Sequence, residues 1–179
     1  MSIKTIHVTS GNITLSPATM DELEAFNAIH QEAVSFFSFD PDHTITTPYD
    51  CLTVGDLPPN GSREHFHTIS IYVDGDLAGY ATVYLGYPEK KAAYLSFIYI
   101  VDSLRSKGIG KRVVGMLCEY FSQHGYASMH ISVSLRNWDA IAFWYHCGFD
   151  TLSLVAVDEN YRTGGYGCIE LCKSLERAA

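Results

Sequence analysis

The chain has 179 residues, 47% of them hydrophobic and 13% aromatic, with 12 Lys and Arg against 20 Asp and Glu. That length and apolar content read as a single domain, residues 1–179, with a substantial core, and exclude a disordered chain. No apolar run approaches a membrane span and MSIKTIHVTS lacks a secretory apolar segment, so a cytoplasmic protein without membrane association is expected, and a net charge of −8 argues against nucleic acid.

Ile13-Thr14-Leu15 reads as a short strand, paired with Thr5 to Val8 across Ser10-Gly11-Asn12. Thr19 can cap a helix from Met20 to about Phe37. Asp40 to Glu64 holds four of the six prolines and reads as a long loop with a short helix. Ile69, Ile71 and Val73 alternate with polar neighbours as a strand, and Asp74-Gly75 turns it into a second strand, Leu77 to Leu85. Ala92 to Val101 is an almost unbroken apolar run, as in a strand buried on both faces. Val113, Val114, Leu117, Cys118 and Phe121 repeat at helical spacing, with Gly125 placed to end the helix. Met129 to Val133 is a strand, Trp138 to Cys147 a helix, and Thr151 to Val157 and Gly167 to Cys172 are the last strands. The expected fold class is α/β (α+β): a mixed, mostly antiparallel central sheet of six to seven strands, flanked by about four helices. The five cysteines are odd in number and lack CxxC spacing, which reads as buried free thiols.

One window runs against the charge of the chain. Arg105-Ser106-Lys107-Gly108-Ile109-Gly110-Lys111-Arg112 carries four cations, leaving 8 Lys and Arg against 20 Asp and Glu elsewhere. It lies between a buried strand and a helix, where unpaired backbone N–H groups and the positive helix end favour a phosphate or pyrophosphate. Glycines there let a ligand approach the backbone. A nucleotide-hydrolysing P-loop is unsupported, because Arg112 follows Gly110-Lys111 and Arg105 stands where the first glycine should be. A dinucleotide loop is unsupported, because no third glycine falls in register. Arg105, Gly108 and Gly110 match a third pattern, Arg/Gln-x-x-Gly-x-Gly/Ala.

On these residues the chain resembles the GNAT superfamily of acetyl-CoA-dependent N-acetyltransferases. Ile98-Tyr99-Ile100-Val101 is similar to the family's strand before the loop. Asn137-x-x-Ala140-Ile141-x-Phe143-Trp144-x-x-x-Gly148-Phe149 resembles its second block. The resemblance is firm from about Ile69 to Phe149 and implies a GNAT-like fold.

The resemblance also implies roles. Arg105, Ser106, Lys107, Gly108, Ile109, Gly110 and Lys111 would hold the coenzyme pyrophosphate. The backbone of Ile98, Tyr99 and Ile100 would pair with the pantetheine arm like an added strand. An N–H there, assigned to Ile98, would polarise the thioester carbonyl. Asn137 would hydrogen-bond the pantetheine side, and it can also cap the helix at Trp138. Where many relatives carry a carboxylate base this chain has Ser96 and Phe97, and where they carry a tyrosine acid it has Trp144. Tyr145, one residue later and about 100° around the helix, cannot simply inherit that position but is the remaining tyrosine candidate for a catalytic role. His67, with His65 in an HxH pair, is the nearest histidine to serve as a base. HxH lacks further ligands for zinc, so no metal is expected. The acceptor pocket would draw on Phe36, Phe37, Phe39, Tyr49, Tyr161, Glu32, Asp40, Asp42 and Glu159.

The sequence thus points to direct transfer of an acetyl group from acetyl-CoA, as co-substrate, to a primary amine of a small molecule or peptide. The protein would be a monomer or homodimer. An acyl-CoA-binding sensor that kept the cradle and lost the chemistry is the alternative.

Overall fold

A computed structural model describes residues 5–39, 45–157 and 167–176. Its strands are β1 (Val8–Ser10), β2 (Ile13–Pro17), β3 (Phe66–Val73), β4 (Asp76–Leu85), β5 (Ala92–Ile100), β6 (Ser128–Ser134), β7 (Thr151–Val157) and β8 (Gly167–Ser174). The helices are α1 (Leu23–Phe36), α2 (Pro48–Leu52), α3 (Ile109–Gln123) and α4 (Trp138–His146). One sheet has the order β1-β2-β3-β4-β5-β6-β8-β7. Every pair is antiparallel except β5 and β6.

The sheet has eight strands among the described residues, against the six to seven expected. The first strand, expected at Thr5 to Val8, runs instead over Val8–Ser10, lies mostly exposed and pairs with β2 across Gly11 and Asn12. The first helix also begins later than Thr19 suggests. Met20–Glu22 forms a single 3-10 turn, with the Thr19 N–H donating to Glu22 Oε2 at 2.7 Å, before α1 starts at Leu23. In the long loop, Thr47 caps α2 and Pro48 fills its first position.

Strand alternation divides the core between two faces. Ile69, Ile71, Ala81, Val83, Ala93, Leu95, Met129, Ile131 and Val133 pack with Val113, Leu117 and Phe121 of α3. Trp144 and Phe149, from α4 and just after it, complete this larger cluster. On the other face, Tyr80 and Tyr99 pack with Phe26, Ile29 and Ala33 of α1. All five cysteines are free, four of them buried, as expected. Burial pushes the Cys51 thiol up to about 12 and that of Cys118 up to about 11. Among the described residues no helix is long and apolar enough to cross a membrane.

Candidate active site

β5 and β6 start as parallel neighbours and then part. Their pairing runs from Ala92 and Ser128 to Tyr94 and His130 and stops there. Ser96 sits at the cause. It is an extra residue in β5, skipped between the Thr82–Phe97 and Val83–Leu95 pairs with β4. A bulge of this kind bends its strand and raises the local twist. The result is a cleft of about 580 Å³ between the diverging strands, walled by Ser96 to Ile100 on one side and Ser132 to Ser134 on the other. The start of α3 and residues of α4 close its ends.

The β5 wall offers backbone groups to this cleft. The Val101 N–H donates to Ala78 O at 2.9 Å, so the alternation of a strand turns Tyr99 toward β4 and turns Ile98 and Ile100 away from it. Gly79 makes the close approach of β4 possible, because a Cβ there would collide with the carbonyl oxygen of Tyr99.

The loop after β5 is a helix start with unfilled donors. Gly108 precedes α3 with φ 76° and ψ 1°, a left-handed conformation that suits glycine. The first helical bond is Arg112 N to Gly108 O, so the N–H groups from Gly108 to Lys111 have no intrahelical partner. Open space surrounds the position of a Cβ on Gly108, whereas a Cβ on Gly110 would lie 3.4 Å from the Phe143 ring. Gly110 thus faces Phe143 of α4 at contact distance beside the cleft.

The four cations of this loop do not share one task. The Arg105 guanidinium lies 4.1 Å from the Phe36 ring centroid and 4.3 Å from that of Tyr99. It pairs with Asp102 at 3.0 Å and donates from Nε to Ile100 O at 3.2 Å. Arg112 donates to Asn12 Oδ1 and Ser10 O, tying α3 to the β1–β2 turn. Lys107 donates to Ser103 O at 2.9 Å. Lys111 lines the cleft and makes no side-chain hydrogen bond among the described residues.

Asn137 is buried, lines the cleft, and accepts from the Ala140 N–H at 3.0 Å as the cap of α4. Trp144 is 8% exposed and also lines the cleft. Tyr145 is 65% exposed and lies outside it, in a shallow apolar depression with Trp138, Leu152 and Phe149. His67 lies on β3, two strands from the cleft wall, and does not line it. Burial lowers its pKa, with Arg63 and His65 adding to the effect. His65 belongs to the 3-10 turn before β3, so the HxH pair does not stand as two strand neighbours. Ile98, Tyr99, Ile100, Arg105, Ser106, Gly108, Ile109, Gly110, Lys111 and Asn137 all line the cleft, and Lys107 stands in the same loop.

Of the residues expected to line an acceptor pocket, Phe36 and Phe37 border the cleft, next to Phe97 and Tyr99. Glu32 of α1 accepts from the Asp102 N–H at 3.0 Å. Burial pushes the Tyr99 phenol up to about 12. Tyr49 is exposed on α2 and does not line the cleft. Asp40, Asp42, Glu159 and Tyr161 lie outside the described residues, as does the side chain of Phe39.

One group escaped the sequence reading. Glu170 of β8 pairs across the strands with Ser132, a cleft residue, and accepts from the Tyr94 hydroxyl at 2.9 Å. No local motif marks it, because β6–β8 pairing joins residues far apart in the chain.

A model described as the acetyltransferase (GNAT) family matches residues 26–149. A sequence comparison with curated proteins finds no match. Solved structures share the fold. The ribosomal-protein-S18-alanine N-acetyltransferase from Escherichia coli is 17% identical, with TM-score 0.67 over 93% of this chain and 96% of that one. A ribosomal L7/L12 alpha-N-protein acetyltransferase in complex with coenzyme A is 16% identical, with TM-score 0.72 over 94% and 98%. A spermidine N-acetyltransferase chimera from Vibrio cholerae is 12% identical, with TM-score 0.64 over 92% and 96%. With well over half its length matched by one family's model, the chain belongs to the acetyltransferase (GNAT) family.

Proposed function

We propose that the protein transfers the acetyl group of acetyl-CoA directly to a primary amine, with the coenzyme lying in the cleft between β5 and β6. The observation that carries this reading is the divergence of these strands beside a left-handed glycine turn that opens onto a helix N-terminus. The unfilled N–H groups from Gly108 to Lys111, with the Lys111 ammonium, suit a pyrophosphate. The open edge of β5 suits an amide-bearing arm that hydrogen-bonds like a strand, through Ile98 and Ile100. The Ile98 N–H would then polarise the thioester carbonyl. Asn137 would serve the arm while it caps α4.

Arg105 would act differently from a phosphate ligand. Its side chain already holds Phe36, Tyr99 and Asp102, so it fixes the shape of the loop and contributes to binding through the backbone. The similarly folded structures include one described as acting on a ribosomal protein and one on spermidine, and a protein terminus and a small polyamine are both fitting acceptors to screen.

Calorimetric titration with acetyl-CoA, combined with a thiol-release assay on a panel of primary amines, tests the reading. Saturable binding with amine-dependent thiol release supports it. Binding without release from any amine would favour a sensor, and the tryptophan at position 144 is the feature that suits that outcome.

A further inference from the structure

The cleft has carboxylates around it, and most are already occupied. Glu32 accepts from the Asp102 N–H, and Asp102 pairs with Arg105. Asp139 lines the cleft in the first turn of α4, on the face shared with α3 and the phosphate-type cradle. With the coenzyme held on that side, the face left for an amine is the opposite one, where Phe97, Tyr99 and α1 stand.

On that opposite face a polar cluster crosses three strands. Ile131 and Val133 of β6 point into the core with α3, so the alternating residues His130 and Ser132 point the other way. Ser132 is exposed in the cleft wall. Glu170 is its partner on β8, and Cβ atoms of directly opposed residues stand about 5 Å apart. The Tyr94 hydroxyl donates to Glu170 Oε1 at 2.9 Å. His130 is 7% exposed and spends Nε2 on Ser128 Oγ at 3.0 Å, while its buried Nδ1 has no partner. Burial lowers the pKa of His130, against the pull of Glu170 and Glu89. Burial and the adjacent Glu170 push the Tyr94 phenol far up, so it stays a donor. A carboxylate is thus held by a neutral hydroxyl, next to a buried imidazole with a spare nitrogen, one strand from the wall of the cleft.

We propose that Glu170 is the proton acceptor for the incoming ammonium, with Tyr94 as the residue that positions its carboxylate. This rests on the acetyl-transfer reading above. The ammonium gives one proton to Glu170 through a water beside Ser132, since Ser132 lines the cleft and the carboxylate stands one strand behind it. The amine nitrogen attacks the thioester carbonyl, the C–N bond forms and the C–S bond breaks. The coenzyme thiolate leaves and takes up the second nitrogen proton, and Glu170 returns its proton to solvent.

The test compares wild type, Glu170→Gln and Tyr94→Phe. Acetyl-CoA binding is measured by calorimetry, and thiol release with propylamine, spermidine, a peptide bearing a free N-terminal serine, and hydroxylamine. Hydroxylamine is neutral near pH 7 and needs no base. For the best alkylamine, Glu170→Gln is expected to lower kcat by about 100-fold or more. Acetyl-CoA affinity should change less than about threefold, and hydroxylamine turnover less than about fivefold, because neither needs the base. Retention of the alkylamine rate, or equal losses with both nucleophiles, overturns the proposal. If Glu170→Gln no longer binds acetyl-CoA, Tyr94→Phe decides. A loss of about tenfold confined to alkylamines supports the assignment, and no loss refutes it. If wild type binds acetyl-CoA but releases thiol with no amine, the transfer reading falls first and the proposal with it.

Discussion

The Arg105 guanidinium lies over the Tyr99 ring, 4.3 Å from its centroid, with Phe36 at 4.1 Å. A cation in a loop that resembles a pyrophosphate cradle is thus committed to joining α1 to the end of β5. Glu32 adds to the same seam through the Asp102 N–H. The α1 side of the cleft and the loop before α3 are held by shared contacts.

Arg105→Ala should therefore act on stability first. Loss of two ring contacts is expected to cost about 1 kcal/mol, with little more from the Asp102 pair, which solvent screens. Arg105→Lys should not restore it, since an ammonium lacks the planar face that stacks on the rings. Denaturant midpoints measure the difference. A stable Arg105→Ala protein that has lost acetyl-CoA binding would return the side chain to the phosphate.

Two glycines should separate fold from function. Gly79→Ala sets a Cβ against the Tyr99 carbonyl, and is expected to destabilise by about 1–3 kcal/mol, as overpacking does. Gly108→Val meets no neighbour but must hold φ 76°, and its side chain would stand over the helix N-terminus. It should lower acetyl-CoA affinity by about tenfold or more, roughly 1.4 kcal/mol, with a folded core. Near-UV circular dichroism and calorimetry would show both.

Tyr145→Phe should change the rate less than about threefold, below 1 kcal/mol, because the side chain is outside the cleft. Trp144→Ala should instead cost about 3–5 kcal/mol of stability, since the indole is packed with Phe143 and Phe149. Unfolding curves and steady-state rates on both variants distinguish the neighbours.

Three histidines set an acid limit. Burial lowers the pKa of His30, His67 and His130. Each binds fewer protons folded than unfolded below the ordinary histidine range, so stability is full above that range and falls as pH drops through it. Unfolding midpoints should decline between about pH 7 and pH 5, and His130→Gln should flatten part of the decline. A midpoint that is level across this range would contradict the assignment of these three as neutral.

Much of the lining of the candidate site was legible because its parts are local. Gly108, Gly110 and Asn137 sit in contiguous motifs, and the apolar run through Ile98 to Ile100 announced a central strand. Tyr145, kept as a catalytic candidate on sequence grounds, falls outside the cleft because it stands about 100° around α4 from Trp144. Arg105 could not be read this way, because Phe36 comes from α1 and Tyr99 from β5. Nor could His67 be excluded from the cleft, since that depends on which strands pair. Glu170 meets Ser132 and Tyr94 only through the β6–β8 pairing, and no spacing in the sequence records that register.

The most direct measurement is the amount of free coenzyme A thiol formed from acetyl-CoA in the presence and absence of each amine, with the acetylated amine identified by mass spectrometry. Acetyl transfer predicts thiol and acetylated amine in equal amounts, and a fall of both together in Gly108→Val. Saturable acetyl-CoA binding with no acetylated product from any amine would contradict it.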